Sequence, residues 1–323
     1  MTVKQIVRIF FIAAAAFATA AGAQAQSCTA TIDNLSFGTV NLTTGLPYDT
    51  NGTMQISCSG TAGSTVRVCP NIGAGSGGTS GGSPRLMTGA PTGSLAYNIF
   101  QDSGHNVVWG SVLGGTGGAT PPQIDIVLDG TGSGSASRTV YASVSGGQQT
   151  LAPASFSSNF SGSDVRIASA YADTDPTCLT IGDTNATSAS FSTSANYVSS
   201  CTIAANALSF GTIATSMVIT DADTTITTQC SASTPYQVAL DGGLTSASNP
   251  AFREMQKGAD RLTYGIYRNS GRTQVWGHIP NVNTYAGTGT GLSTAIPVYG
   301  RIHAQERREA GTYTDMIIVT IDY

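Results

Sequence analysis

Charge is scarce in this sequence. Asp, Glu, Lys and Arg make up 10% of its 323 residues, and the 14 basic residues are outnumbered by 18 acidic ones. A coiled coil or helical bundle needs abundant Glu, Lys, Arg and Leu, and is excluded. The balance argues against nucleic acid as a partner, because its binding works through Lys and Arg that displace counterions from phosphates. Three histidines in the whole chain leave little for metal ligation or acid–base catalysis. Long apolar runs are missing too. The one at Ile9 to Ala21 has 13 residues, where a bilayer span needs about 20. Glycine is plentiful, at 39 residues, but follows no three-residue period, which excludes collagen.

What is present begins with an address. Lys4 and Arg8 precede the apolar run, and Ala23-Gln24-Ala25 follows it as a small-x-small cleavage signal. Residues 1–25 read as a secretory signal peptide cut after Ala25. The chain from Gln26 onward keeps 12 of the 14 basic residues and all six cysteines. An even cysteine count in a secreted chain points to disulfides.

The remainder is one unit written twice. Ser27-Cys28-Thr29 followed by Leu35-Ser36-Phe37-Gly38-Thr39-Val40 returns 173 residues later as Ser200-Cys201-Thr202 and Leu208-Ser209-Phe210-Gly211-Thr212-Ile213. Cys58 returns as Cys230. Leu95-Ala96-Tyr97-Asn98-Ile99-Phe100 and Val108-Trp109-Gly110 return, 167 residues on, as Leu262-Thr263-Tyr264-Gly265-Ile266-Tyr267 and Val275-Trp276-Gly277. Near the unit ends, Val165, Ile167 and Tyr171 match Ile317 or Val319, Ile321 and Tyr323. The repeat selects a disulfide pairing. Cys28 with Cys58 and Cys201 with Cys230 stand in equivalent places at similar spacing. Cys69 and Cys178 have no counterpart in the second unit and pair with each other by elimination.

Each unit reads as β-sheet. Ile317, Val319, Ile321 and Tyr323 alternate with Met316, Ile318, Thr320 and Asp322, the two-residue period of a strand. The strands around each Trp are joined by Gln101-Asp102-Ser103-Gly104-His105 and Arg268-Asn269-Ser270-Gly271-Arg272, both with hairpin turn chemistry. No segment beyond residue 25 shows a 3.6-residue period. Short strands with regular turns predict an all-β protein of two sandwiches.

These residues resemble a known family. The Ser-Cys-Thr opening, the Leu-Ser-Phe-Gly-Thr segment, the second Cys, the Val-Trp-Gly hairpin and the terminal Gly311-Thr312-Tyr313-Thr314-Asp315 run are similar to the spore coat protein U domain. That domain builds subunits of archaic (Csu-type) chaperone–usher pili. The resemblance covers 199–323 densely and 27–178 more loosely. It implies two immunoglobulin-like β-sandwich domains, the C-terminal one lacking its final strand. The expected organisation is a signal peptide (1–25), an N-terminal adhesin domain (26–185), a linker or in-cis donor strand (186–198) and a C-terminal pilin domain (199–323).

Further expectations follow from the resemblance. A neighbouring pilin subunit donates a strand against Ile317, Val319, Ile321 and Tyr323, closing an edge that otherwise invites aggregation. A periplasmic chaperone and an outer-membrane usher handle the subunit on its way to the cell surface. After the expected cleavage at Ala25, Gln26 and Ser27 alone precede Cys28. Two residues are too few to span a groove at about 3.3 Å per residue, so the subunit is expected to accept a strand without giving one, at the pilus tip. Tip adhesins bind an abiotic or host surface. The rival reading is a structural spore-coat or surface-layer protein built from the same domain. The stretch from Thr187 to Val198, with Ala189, Phe191, Thr193, Ala195 and Tyr197 on one face, reads either as the strand completing the first unit in cis or as a solvated linker.

Surface binding is expected on the Gly-rich loops of the first unit, with Leu86, Met87, Pro121, Pro122 and Leu151 as candidate apolar contacts. Tyr48 with Asp49 and Asn51, or Phe156 with Asn159, are alternatives for a glycan. Enzyme signals do not hold together. Gly78-Thr79-Ser80-Gly81-Gly82 fits the nucleophile pattern, and Gly73 to Gly78 the dinucleotide pattern, but no helix follows either. His105, His278 and His303 lack partners at ligand spacing. Asp173/Asp175 and Asp221/Asp223 are incomplete as calcium loops. No cofactor, metal or catalytic residue is expected. Arg301, His303, Arg307 and Arg308 form a basic cluster, read as a solvated face or as a chaperone or usher contact.

Overall fold

The structure is a computed structural model and describes residues 25–90, 93–213 and 218–323. The signal-peptide reading lies outside the described residues, apart from Ala25. In unit one the strands are β1 (Ser27–Ile32), β2 (Leu35–Val40), β3 (Tyr48–Ser59), β4 (Thr65–Ile72), β5 (Arg85–Gly89), β6 (Ser94–Phe100), β7 (Ile124–Val127), β8 (Ser133–Val144), β9 (Ala154–Phe160), β10 (Val165–Tyr171), β11 (Thr187–Ser188) and β12 (Phe191–Tyr197). In unit two they are β13 (Cys201–Ala205), β14 (Thr220–Cys230), β15 (Pro235–Leu240), β16 (Arg253–Lys257), β17 (Asp260–Tyr267), β18 (Tyr285–Thr288), β19 (Ser293–Ile302) and β20 (Val319–Asp322). One helical turn, α1 (Cys178–Ile181), is the sole α-helix among the described residues.

Alternation drives the layering. In β8, Val140, Ala142 and Val144 are buried while the residues between them are half-buried. The strands therefore turn one face inward, as a two-residue side-chain period requires. Unit one has an eight-stranded sheet, β1-β3-β8-β6-β5-β9-β12-β2, and a four-stranded sheet, β11-β10-β4-β7. Unit two has a five-stranded sheet, β13-β14-β19-β17-β16, and a three-stranded sheet, β18-β15-β20. Each unit holds its own apolar core, with Trp109 in one and Trp276 in the other, both fully buried. Each indole N–H donates to a carbonyl on the smaller sheet of its unit: Trp109 to Pro70 at 2.7 Å, Trp276 to Val238 at 2.9 Å.

The disulfides are Cys28–Cys58, Cys69–Cys178 and Cys201–Cys230. The first and third join directly paired residues, β1 to β3 and β13 to β14. The second ties α1 to β4. Changing Cys201 and Cys230 together to alanine is expected to lower the stability of unit two by about 3–4 kcal/mol, from the loop-closure entropy of a link this long. The shift in its urea midpoint measures this.

The hairpins at the two Trp are built alike. Asp102 accepts the amides of Asn106 and Val107, and Asn269 accepts those of Thr273 and Gln274. These backbone hydrogen bonds hold the Asp102 carboxyl below its ordinary range. His105 and Arg272, the residues after the turn glycines, both take left-handed backbone at φ 55° and 52°.

Thr187 to Val198 is not a linker. Phe191–Tyr197 is β12, antiparallel to β9 and parallel to β2. Its inward residues Phe191, Thr193, Ala195 and Tyr197 are all buried. Phe191 stacks on Phe160 with ring centroids 4.5 Å apart.

Candidate functional site

The two units align strand by strand until one point. Two buried arginines fix the register. Arg85, in β5, donates through Nε to the Gly73 carbonyl and through Nη2 to those of Ile72 and Trp109. Arg253, in β16, does the same with Asp241, Leu240 and Trp276. Burial lowers both guanidinium groups, that of Arg85 to about 10, where it stays charged at neutral pH. Sequence reading missed this pair. The signal was there: Arg85-Leu86-Met87 returns as Arg253-Glu254-Met255, 168 residues later.

With this register, β13, β14, β19, β17 and β16 correspond to β1, β3, β8, β6 and β5. The last three members of the eight-stranded sheet, β9, β12 and β2, have no strand counterpart among the described residues of unit two. Leu208–Ile213, equivalent to β2, forms no strand. Residues 311–317, equivalent to β9, form none either, apart from a single bridge from Thr314 to Gln256. Between these two segments lies a groove of about 810 Å³. Its floor includes Ile226, Tyr264 and Val298, and its walls carry Phe210, Tyr313 and Ile317.

Local contacts hold the walls apart. Leu208 and Phe210 settle on β19 at Gly300, where a Cβ would lie 2.6 Å from Leu208 Cδ2. Lys257 Nζ donates to the Ala310 carbonyl at 2.6 Å and pairs with Glu309. This side chain crosses Gly311, which takes φ 152° and where a Cβ would lie 2.6 Å from Lys257 Cδ. In unit one the equivalent space is filled by β12. There Leu35, Phe37 and Val40 are buried; their counterparts Leu208, Phe210 and Ile213 are only half-buried.

The predicted acceptor strand needs correction. Ile317 and Val319 line the groove, but Ile321 does not, and Tyr323 is 61% exposed. Val319 pairs with Leu240 and Ile321 with Val238, as Val165 pairs with Ile72 and Ile167 with Pro70. Tyr323 therefore falls two residues short of the position equivalent to Tyr171. The open edges lie at Leu208–Ile213 and residues 311–317.

The predicted adhesive residues also need correction. Met87 is fully buried in β5, because its strand alternation turns it to the core. Leu86, on the other face, is half-buried and pairs with Ala96. Pro121 and Pro122 are buried, and Leu151 packs against the core. Of the glycan candidates, Phe156 is a core residue, and the Tyr48 hydroxyl is taken up by the backbone of Asn41. The Gly-rich loops do meet: a Cβ on Gly82 would lie 2.8 Å from Gly117. Leu113 is 45% exposed on the second of these loops, a residue that sequence reading passed over.

The remaining motifs are structural. Ser80 stands in a turn leading into β5. Arg67 holds Asp125 and Asp175, and lowers the Asp125 carboxyl. Arg301 and Arg272 hold Asp221, and Arg272 also holds Asp223. Arg301 thus belongs to an ion-pair network on the sheet, while Arg307 and Arg308 are exposed beside the groove.

Comparison with known proteins follows the same lines. No curated protein matches the chain. Among solved structures, a chain of the CsuC–CsuE chaperone–tip adhesion subunit pre-assembly complex, from archaic chaperone–usher Csu pili of Acinetobacter baumannii, is similar in fold. It is 18% identical, with 93% of this chain and 100% of that chain covered and a TM-score of 0.53. The CupB6 tip adhesin from Pseudomonas aeruginosa aligns at 11% identity over 93% of each chain, with a TM-score of 0.38. The family model for the Spore Coat Protein U domain matches residues 13–161 and again 187–320. The two matches span most of the sequence, and the chain belongs to the Spore Coat Protein U domain family, with two copies of the domain in tandem.

Proposed function

We propose that this protein is the tip adhesin subunit of a chaperone–usher fibre. One observation carries the reading. The second family match starts at residue 187, ahead of β12, yet β12 is built into the sandwich of unit one. A segment leading into one domain copy completes the copy before it. That is the relation between neighbouring subunits in a strand-exchanged fibre, here made within one chain. Unit two has the same vacancy where β12 would lie, and a strand from another chain would fill it with backbone hydrogen bonds and alternate side-chain contacts.

In this reading a periplasmic chaperone covers the groove first. The usher then exchanges it for a neighbouring pilin subunit, and unit one is displayed at the cell surface. Its binding end is formed by the two Gly-rich loops that meet at Gly82 and Gly117, with Leu113 exposed beside them. The role is binding, without catalysis. The fold found in the solved Csu tip-subunit complex supports the assignment.

Immunogold labelling of cells that express the whole gene cluster tests it. Label is expected at free fibre ends, and deleting this subunit is expected to remove surface attachment. Label along fibre shafts, or in a continuous coat, would instead establish the spore-coat or surface-layer role.

A further inference from the structure

The layer of the sandwich next to the vacant strand position differs between the units. In unit one it is neutral. Thr193 of β12 donates from its hydroxyl to the Tyr97 hydroxyl at 3.0 Å, and Ser158 lies beside them, fully buried. The pairings Thr88–Ser157 and Gln256–Thr314 make Asp315 the counterpart of Ser158, just as Tyr264 is the counterpart of Tyr97. In unit two that layer therefore carries a carboxylate. The Tyr264 hydroxyl donates to Asp315 Oδ2 at 2.6 Å, and the amides of Leu244 and Met316 donate to Oδ1. Both Tyr264 and Asp315 line the groove. Asp315 is half-buried in the open groove, where solvent still reaches it.

Resting on the reading of the groove as a strand acceptor, we infer that Asp315 selects the strand: the incoming chain must present an O–H or N–H side chain at the position Thr193 holds in unit one. A strand laid over the groove removes the water. A carboxylate buried without a replacement donor is strongly disfavoured. The occupant is thus an extended segment of another chain with apolar residues at alternate positions, interrupted by a polar donor opposite Asp315. Unit one has the neutral hydroxyl of Ser158 at the equivalent position and makes no such demand on its strand. Arg253 does not remove the demand, because its guanidinium is spent on the carbonyls of Asp241, Leu240, Trp276 and Pro250.

The test uses the whole chain from Gln26 to Tyr323 and two labelled peptides. One has the sequence of residues 187–198, and the other carries Thr193→Val, which keeps the shape and removes the donor. Fluorescence anisotropy gives the affinities, and hydrogen exchange of the Leu208–Ile213 amides locates the binding. The threonine peptide is expected to bind about tenfold or more tightly than the valine peptide, the size of a lost hydrogen bond to a charged group. Asp315→Asn keeps the side chain's shape and is expected to shrink that ratio below about threefold. Equal affinities for the unaltered chain, with Leu208–Ile213 protected by both peptides, would overturn the role of Asp315 and leave the acceptor groove standing. No protection of Leu208–Ile213 by either peptide would overturn the acceptor reading, and this inference with it.

Discussion

Replacing Phe191 and Tyr197 together with alanine is expected to abolish the cooperative melt of unit one and to leave that of unit two in place. Both rings are buried, and Phe191 stacks on Phe160. An aromatic residue cut to alanine in a core costs about 3–5 kcal/mol, so the pair costs about 6–10 kcal/mol. A domain of this size has about 5–15 kcal/mol in total. The loss also spreads through the sheet. Among the described residues β2 pairs with no strand other than β12, and β9 has β5 on its far side through only Thr88–Ser157 and Gly89–Phe156. Without β12, unit one is left with the unpaired edges that unit two already has. Scanning calorimetry of the whole chain separates the two transitions. If the melting temperature of unit one fell by less than about 5 °C, a change of only 1–2 kcal/mol, β12 would not be integral to its fold.

The second large effect is expected at the buried arginines. Arg85 serves four acceptors: the carbonyls of Gly73, Ile72 and Trp109, and Asn98 Oδ1. These groups join the β4 end, β6 and the Trp hairpin at one buried point. Arg85→Met keeps most of the apolar stem but leaves the acceptors in a dry interior. Each unsatisfied buried polar group costs about 1–3 kcal/mol, and carbonyls that keep a second partner lose less, so the net is about 4–6 kcal/mol. Arg253→Met is expected to do the same to unit two. Lysine is expected to restore less than half in either place, because one ammonium cannot reproduce a planar fork of donors. Urea unfolding of each variant measures the cost. A loss below about 1 kcal/mol, the typical effect of a single substitution, would mean that water or rearranged backbone satisfies these carbonyls.

The sequence by itself determined the strand character, the tandem repeat and the cysteine pairing. Each of these is local or self-referential. Alternation in a segment such as residues 317–322 follows from side-chain geometry along one strand, and Cys201 and Cys230 are identified by their copies at Cys28 and Cys58. The second Arg-x-Met was equally legible, but its meaning depends on three carbonyls brought together from distant parts of the chain.

Only the tertiary structure decided what lies next to what. It seated residues 191–197 between β9 and β2, a pairing that no local pattern encodes, since the same Ser/Thr-rich stretch suits a solvated linker. It turned Met87 inward and tucked Pro121 and Pro122 away, because a loop's apolar residues are exposed or buried according to what folds over them. It moved the open edge of unit two from the terminal strand to Leu208–Ile213 and residues 311–317. A missing strand is a vacancy between two segments some hundred residues apart, and period and composition, which are properties of single segments, do not register it.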